Sequence, residues 1–500
     1  MVLLSSTSLW VGALGLTLYF LIRRIVEYKR LRHVPGPFLA GWTDLWLLHH
    51  VVPGTLCTKL VDVCKEYGRI ARIGPNWVVC GDPAEIQRIW SIRSGFVRTP
   101  WYKATRLDPE EDNVLTELNT KRHHYRRAKL VPAYVAKGLD NQESLVDEQI
   151  EKLFDLIDLR YLSTTKDIEP CNLGRVMQYL TQDIITAVGF GKPAGYLDAN
   201  EDLMGILETC ENLLAPGHII MFLPLVRKAL ESGILNPFLP KPTNNHGIGG
   251  LLGLIKSHVD TRYGESQVHG KDMLQSFVDS GLTRPQVEAE SLVTLFGGTD
   301  STSTALRMTI FFLSTNMAAY RKLQAEIDAA VVSAARPVVT DEHVKRLPYL
   351  QACIREGMRL WPPSMALLPK MSEIDQLVCG QLVPAGTYIG WSGMTVMRDR
   401  DVFGENADVF EPARWIDADP QKSRQMEGVY GLVFATGTGW ECLGKKLAYV
   451  ELGKVLFELF FRYDFAMVDA MHPFDWTNHG FTIHRNMNVR ITSRRNMDRQ

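Results

Sequence analysis

Phe434-Ala435-Thr436-Gly437-Thr438-Gly439-Trp440-Glu441-Cys442-Leu443-Gly444 sets one cysteine between a glycine-rich loop and the start of a helix. Downstream, Leu452, Val455, Leu456 and Leu459 fall at i, i+3, i+4 and i+7, the spacing of an amphipathic helix with a buried face. A thiolate at that helix's start would lie at the positive end of the macrodipole, among free backbone N–H groups. Such donors stabilise the anion and tune a metal bound to it. The loop glycines let the backbone lie close to a flat partner. A lone cysteine is more often a small buried apolar residue, so the loop chemistry alone leaves both roles open for Cys442.

The chain has 500 residues, enough for a large body with a sizeable core. Its 55 Lys+Arg and 56 Asp+Glu nearly cancel, and no basic tract is long enough to argue for a nucleic-acid partner. The eight cysteines (Cys57, Cys64, Cys80, Cys171, Cys210, Cys353, Cys379, Cys442) are scattered, with no CxxC pair and no zinc spacing. That pattern suits reduced thiols on the cytosolic side better than a disulfide framework.

Met1 to Ile22 carries no charged side chain, and Arg23, Arg24, Lys29, Arg30 and Arg32 follow at once. At 1.5 Å per residue such a helix can cross a hydrocarbon core of about 30 Å. The positive-inside rule then puts everything downstream in the cytoplasm. A cleaved signal peptide wants its charge before the apolar run and small residues at its end, and this segment has neither. Residues 1–28 are therefore expected to be a single transmembrane anchor with a basic flank. Residues 29–45 are expected to be a proline-containing linker, in which Pro35-Gly36-Pro37 makes a stiff, non-helical hinge between anchor and body.

The body, 46–500, reads as one mainly α domain with a minor β portion. Arg69–Ile73 and Trp77–Cys80 read as a small hairpin around Gly74-Pro75-Asn76. Helical patterns dominate from Gln142 to about Trp361, broken at the turn-rich loop 243–247. His123 and Arg127 stand at i and i+4 on one helix face, which a solvated basic surface would equally explain. Thr283, Pro285 and Gln286 mark a helix start with a capping box, and that helix continues through Gly297-Gly298-Thr299-Asp300-Ser301-Thr302. Two adjacent mid-helix glycines cost about 1 kcal/mol each relative to alanine. They permit close helix packing, or they open the helix beside an acid and a hydroxyl and so make a groove with a proton relay. Glu356 and Arg359 can pair at i, i+3, and Arg414 in Pro412-Ala413-Arg414 offers a second cation.

Phe-x-x-Gly, Cys-x-Gly and the Lys445-Lys446-Leu447-Ala448 helix start resemble the haem-ligand loop of the cytochrome P450 family, where the cysteine thiolate is the axial iron ligand. The order of elements is the family's across nearly the whole chain: anchor, His-x-x-x-Arg, Gly-Gly-x-Asp-Ser, Glu-x-x-Arg, Pro-x-Arg, Cys-x-Gly. Two departures stand out. The gap from Phe434 to Cys442 is one residue longer than the usual seven, and Gly439-Trp440 replace the arginine or histidine that usually faces a haem propionate. The resemblance is closest to membrane-anchored fungal members that tailor secondary metabolites.

The resemblance implies a cytochrome P450 fold, haem b with Cys442 as axial thiolate, and Phe434, Gly437 and Gly444 shaping its loop. It implies propionate contacts from His123, Arg127 and Lys370, the last where the family often has an arginine. It makes Glu356, Arg359 and Arg414 a structural ion triad. The implied reaction inserts one oxygen atom from O₂ into an apolar small molecule, with Asp300 passing protons from solvent, Ser301 delivering them and Thr302 adjacent. No dinucleotide fingerprint is visible, so electrons would come from NADPH–cytochrome P450 reductase. The expected location is the endoplasmic-reticulum membrane, single-pass, with the body cytosolic and membrane lipid as a further partner. Ile219–Leu223 lines an access route or is ordinary core. Two other readings stand beside the monooxygenase: a haem-thiolate isomerase or dehydratase, and a catalytically silent membrane-anchored haem or lipid binder.

Overall fold

A computed structural model describes residues 6–106, 111–135, 141–164, 166–235, 241, 243, 246–263, 269–331 and 337–494. The helices that position the site are α1 (Ser6–Arg30), α2 (Thr120–Tyr134), α3 (Leu173–Phe190), α4 (Ile206–Met221), α5 (Arg284–Ser314), α6 (Pro348–Leu360) and α7 (Lys445–Arg462). Helix α5 is the axle: it packs along α3 and against α6 and α7. Its start is the expected one, with Thr283 as N-cap, a reciprocal capping box to Gln286 and a proline in the first turn. The helix does not open at its glycines; it runs unbroken for 31 residues. Gly298 faces α3, where a Cβ would come within 2.6 Å of Ile185, so this glycine is what lets the two helices approach. Gly297 has open space around its Cα.

A five-stranded sheet flanks the helices. In chain order its strands are β1 (Ile70–Gly74), β2 (Trp77–Cys80), β3 (Val97–Arg98), β4 (Lys370–Met371) and β5 (Tyr388–Trp391). The spatial order is β1-β2-β5-β4-β3. The β1–β2 hairpin is the one read from the sequence, with a register shift at Gly74. Its one other neighbour, β5, comes from about 300 residues further on, and no local pattern announces it. A separate hairpin, β6 (Asp475–Asn478) and β7 (Thr482–Arg485), sits over the segment before β4, where Ser364 bridges Phe481 and the Met365 N–H donates to the Gly480 carbonyl at 2.8 Å. The mainly α architecture with a minor β portion thus matches the expectation.

The triad also forms. Glu356 and Arg359 on α6 are both 0% exposed and bind each other bidentately at 2.8 Å. Arg414 Nε reaches Glu356 at 2.9 Å, and Trp415 Nε1 donates to the same carboxylate at 2.9 Å. Arg359 also donates to the Met397 and Ala407 carbonyls, so the triad pins the irregular segment between β5 and the cysteine loop.

Helix α1 covers the expected anchor from Ser6 onward; Met1–Ser5 lie outside the described residues, as do Asn244 and Asn245 of the loop 243–247. Among the described residues no single helix is long and apolar enough to cross a membrane, although Leu203–Met221 and Pro224–Glu231, bent by 108°, meet the length and composition test together. Pro35–Pro37 is non-helical, as expected. Arg72 ties this region to the sheet by donating to the Tyr28, Glu27 and Pro75 carbonyls, while its own N–H bonds Pro35.

Candidate functional site

The cysteine loop is held by its own backbone. The 3-10 turn Gly431–Phe434 ends at Ala435 in the left-handed region, and Gly437 follows at φ +74°, a conformation that favours glycine. The Cys442 N–H donates to the Phe434 carbonyl at 2.8 Å and closes the loop, absorbing the extra residue. Thr438 Oγ1 accepts from the Trp440 N–H at 3.0 Å, which turns the indole inward. Phe434 packs on Tyr449, and Gly444 caps α7 beside the sulfur.

Cys442 is the exposed one among the eight cysteines. Its sulfur borders a cavity of about 380 Å³ between α2 and the start of α7, lined by Arg127, Val131, Tyr134, Leu443 and Tyr449 among others. Enclosure by protein pushes the thiol pKa up, while the N–H groups of Gly444 and Lys445 and the Arg127 charge pull it down. Arg127 donates to the Glu441 carbonyl. Tyr134 bonds Thr294 of α5 at 2.7 Å, which ties this cavity to the helix carrying Asp300 and Ser301.

Trp440 is the centre of a cage of basic side chains. The His123 ring lies tilted against its ring with centroids 3.8 Å apart, the Arg98 guanidinium lies 3.8 Å from it, and Lys370 Nζ lies 4.5 Å from it. The β3–β4 register sets Arg98 directly opposite Lys370. Like charges facing across a strand pair destabilise unless an anion lies between them. Both side chains are buried, as is His123, and none forms an ion pair with an acid among the described residues. Arg98 Nε and His123 Nδ1 have no hydrogen-bond partner there either. The electrostatics carry the strain: burial, with Arg98 adding to it, pushes Lys370 down to about 7 and His123 to about 2. Burial also lowers Arg98 to about 10, with Arg127 adding to it. This is a preformed site for a carboxylate-bearing anion, and beside a free thiol it fits the two propionates and iron of haem.

His123 and Lys370 thus lie against Trp440, and Arg127 against the Glu441 carbonyl, all against the loop that carries Cys442. Arg98 was missed, because a two-residue strand has no periodicity and its partner is 272 positions further on (370 − 98). Asp300, Ser301 and Thr302 sit together on α5, and among the described residues no hydrogen bond joins them to the cysteine loop. Ser301 Oγ donates to the Gly297 carbonyl at 2.5 Å, and Thr302 is buried. The Asp300 carboxyl turns towards α3 and α4. Gln178 Nε2 donates to it at 2.9 Å and to Glu211 at 2.9 Å, and Arg175 holds Glu211 with both arms. Burial raises the Asp300 pKa, while the Gln178 bond and Arg307 lower it. Ile219 and Met221 pack against an apolar cluster that includes Trp77, Trp101 and Phe222.

Comparison with known proteins agrees with this geometry. A family model described as Cytochrome P450 matches residues 35–488. The chain is 35% identical over 489 residues to cytochrome P450 monooxygenase ABA1 of Pyricularia oryzae, covering 96% of this chain and 95% of that one. It is 34% identical over 460 residues to cytochrome P450 monooxygenase abl1 of Leptosphaeria maculans, covering 90% and 80%. It is 29% identical over 473 residues to cytochrome P450 monooxygenase mpaDE of Penicillium brevicompactum, covering 92% of this chain and 55% of that one.

Proposed function

The chain belongs to the cytochrome P450 family and is a haem-thiolate monooxygenase; on that premise we propose that it performs a tailoring step in fungal secondary-metabolite biosynthesis, oxidising an apolar polyketide, terpenoid or alkaloid. The observation that carries the site assignment is the free Cys442 thiol beside buried cations that lack an acid. Cys442 is the iron's sulfur ligand, and Arg98, His123, Arg127 and Lys370 take the propionate carboxylates. Phe434, Gly437 and Gly444 shape the loop around the sulfur. Bound there, haem supplies the activation of O₂ and the transfer of one oxygen atom to the substrate.

The protein's own residues supply placement and protons. The Gly444 and Lys445 N–H groups and Arg127 stabilise negative charge on Sγ. Ser301 Oγ donates to the Gly297 carbonyl, keeps both lone pairs free to accept, and can rotate to donate its proton elsewhere. Asp300, with its pKa raised by burial, holds a proton more readily than a solvated carboxyl. Glu211 and Gln178 connect it towards Arg175, whose side chain is 30% exposed.

Electrons come from NADPH–cytochrome P450 reductase. In support, Arg127, Lys345, Lys445 and Lys446 rim the cavity beside Cys442, with Lys345 paired to Asp341 and Lys445 to Glu441, which leaves a net basic surface suited to an acidic donor protein. Residues 1–28 anchor the protein in the endoplasmic-reticulum membrane, 29–45 link, and 46–500 form the cytosolic catalytic domain. Exposed Phe38, Leu39, Leu45 and Leu225 support further contact with lipid. The test is a ferrous–carbon monoxide difference spectrum, followed by product formation with reductase and NADPH. A protein that lacks the red-shifted thiolate band, or keeps it and inserts no oxygen into any apolar substrate, refutes the reading.

A further inference from the structure

Two imidazoles in the apolar region near the cage are unused by the chemistry above. His218 on α4 is 2% exposed, and neither of its ring nitrogens has a hydrogen-bond partner among the described residues. Its ring lies 6.1 Å from that of His479, in the turn between β6 and β7, and 5.4 Å from Phe222. His479 Nδ1 is unpartnered as well, while its ring meets the Val51 backbone. Trp101 Nε1 is a third orphan, in the cluster that holds Phe222, Ala366 and Leu367. A buried polar group left unmade is costly, so nearly all such groups find a partner.

Two lines of packing tie the pair to the cage. Arg98 leads from Trp440 through β3 into the 3-10 turn Pro100–Thr105, whose Tyr102 ring lies 4.6 Å from the Arg98 guanidinium, and that turn packs on α4. Lys370 leads from Trp440 back along Leu368, Leu367 and Ala366 to Met365, whose N–H bonds Gly480 next to His479. The first line ends on the helix that carries His218 and the second beside His479, so both imidazoles sit on elements packed onto those that hold the cage.

We infer that His218 and His479 form a polar subsite that binds a hydroxyl or carboxyl group on an otherwise apolar substrate, an inference that rests on the monooxygenase reading above. Burial keeps both rings neutral: it pushes His218 down to about 3 and lowers His479. The neutral His218 ring then offers one N–H donor and one acceptor nitrogen, while His479, whose other nitrogen bonds the Val51 backbone, offers Nδ1 as an acceptor. An OH both donates and accepts, so it satisfies this pair; an ether or ester only accepts, and an alkane does neither. A site built around such a bond rejects the analogue lacking it, because its own groups are then left unpaired. The subsite would hold the oxygenated end of the substrate between the two rings, with the apolar cluster of Phe222, Ala366 and Leu367 beside it.

The test uses the haem-loaded enzyme. Farnesol, dodecan-1-ol and dodecanoic acid, each against its O-methyl derivative, are titrated by the haem absorbance shift into wild type, His218→Phe and His479→Phe. The free forms should bind wild type about tenfold tighter than the capped ones. Both variants should lose that preference while binding the capped forms as well as before. Equal binding of free and capped forms to wild type, or a preference that survives both substitutions, overturns the inference. A second measurement needs no ligand: if the nitrogens are orphaned, His218→Phe should raise the melting temperature by about 1–3 °C. A fall of several degrees means the ring has a structural partner, and overturns the inference. Should no probe bind, the melting comparison decides alone. It also reads the histidines when the thiolate band is absent, which separates this failure from that of the monooxygenase reading.

Discussion

Glu356→Ala should cost the protein most of its stable, haem-loaded form without touching the chemistry. The Glu356 carboxylate is 0% exposed and accepts from Arg359 Nε and Nη2 at 2.8 Å, from Arg414 Nε and Trp415 Nε1 at 2.9 Å, and from the Glu411 N–H at 3.0 Å. Removing it leaves the Arg359 guanidinium buried with no counter-charge. Breaking a buried pair in this way costs about 3–5 kcal/mol, against a total stability of about 5–15 kcal/mol for a typical folded protein. Charge-assisted bonds counted one by one at about 1.5–3 kcal/mol each would exceed that range, so they cannot be additive. The loss should fall on the segment that Arg359 pins through the Met397 and Ala407 carbonyls, and so on the loop that presents Cys442. Denaturant titration and haem content per protein are the assays, on Glu356→Ala, Arg359→Ala and the double variant. The double variant should be less destabilised than the sum of the singles, because it leaves one buried charge fewer. Normal haem content with a stability change below about 0.5 kcal/mol in Glu356→Ala, or strict additivity in the cycle, would refute a structural ion triad.

Cys442→Ala should abolish the red-shifted ferrous–carbon monoxide band; a variant that keeps it has its iron held by another residue. Ser301→Ala should still consume NADPH but yield peroxide in place of product, Asp300→Asn should slow turnover by about 10²–10⁴-fold, and unchanged coupling in a variant lacking both Ser301 and Thr302 hydroxyls would sink the relay. Lys370 in the haem-free protein has its pKa lowered from 10.5 to about 7 by burial, so the folded state resists its charge. Stability from this depressed group is present above pH 10.5 and is lost as pH falls through about 7. Lys370→Met should flatten that slope in denaturation of the apoprotein, and an unchanged slope would mean that the cage does not penalise the cation.

What could be read in advance follows from how local each feature is. The capping box at Thr283–Gln286 and the Glu356–Arg359 pair lie within one helical turn, and both formed as read. The hairpin at Gly74–Asn76 needed only its turn. The mid-helix glycines carried two readings because packing and opening use the same residue. Ile185 decides for packing at Gly298, and it lies on another helix 113 positions earlier (298 − 185). The Gln178–Glu211 bridge to Asp300 and the His218–His479 pair each join separate elements, so no spacing in the sequence marks them.

Trp440 shows why a motif departure need not cost a function. The loop lacks the basic residue expected at Gly439-Trp440, which by itself removes one carboxylate contact. The indole that stands there has no charge, yet its electron-rich face attracts cations. Arg98 and Lys370, set opposite each other by the β3–β4 register, both lie within 4.5 Å of that ring's centroid. The face screens a repulsion that the register would otherwise impose. Charge that the loop does not provide is thus delivered by the sheet, and the tryptophan makes its delivery tolerable before an anion arrives. Trp440→Ala should therefore weaken haem retention by freeing Lys370 to turn away from Arg98, which the Val114 and Leu115 carbonyls hold in place. Trp440→Arg, which restores the familiar loop chemistry, should not repair it, because a third cation would meet Arg98 and Lys370 at the same spot. The comparison is haem retention against apomyoglobin as acceptor. Faster loss from Trp440→Ala with full recovery in Trp440→Arg would refute a supporting role for the indole.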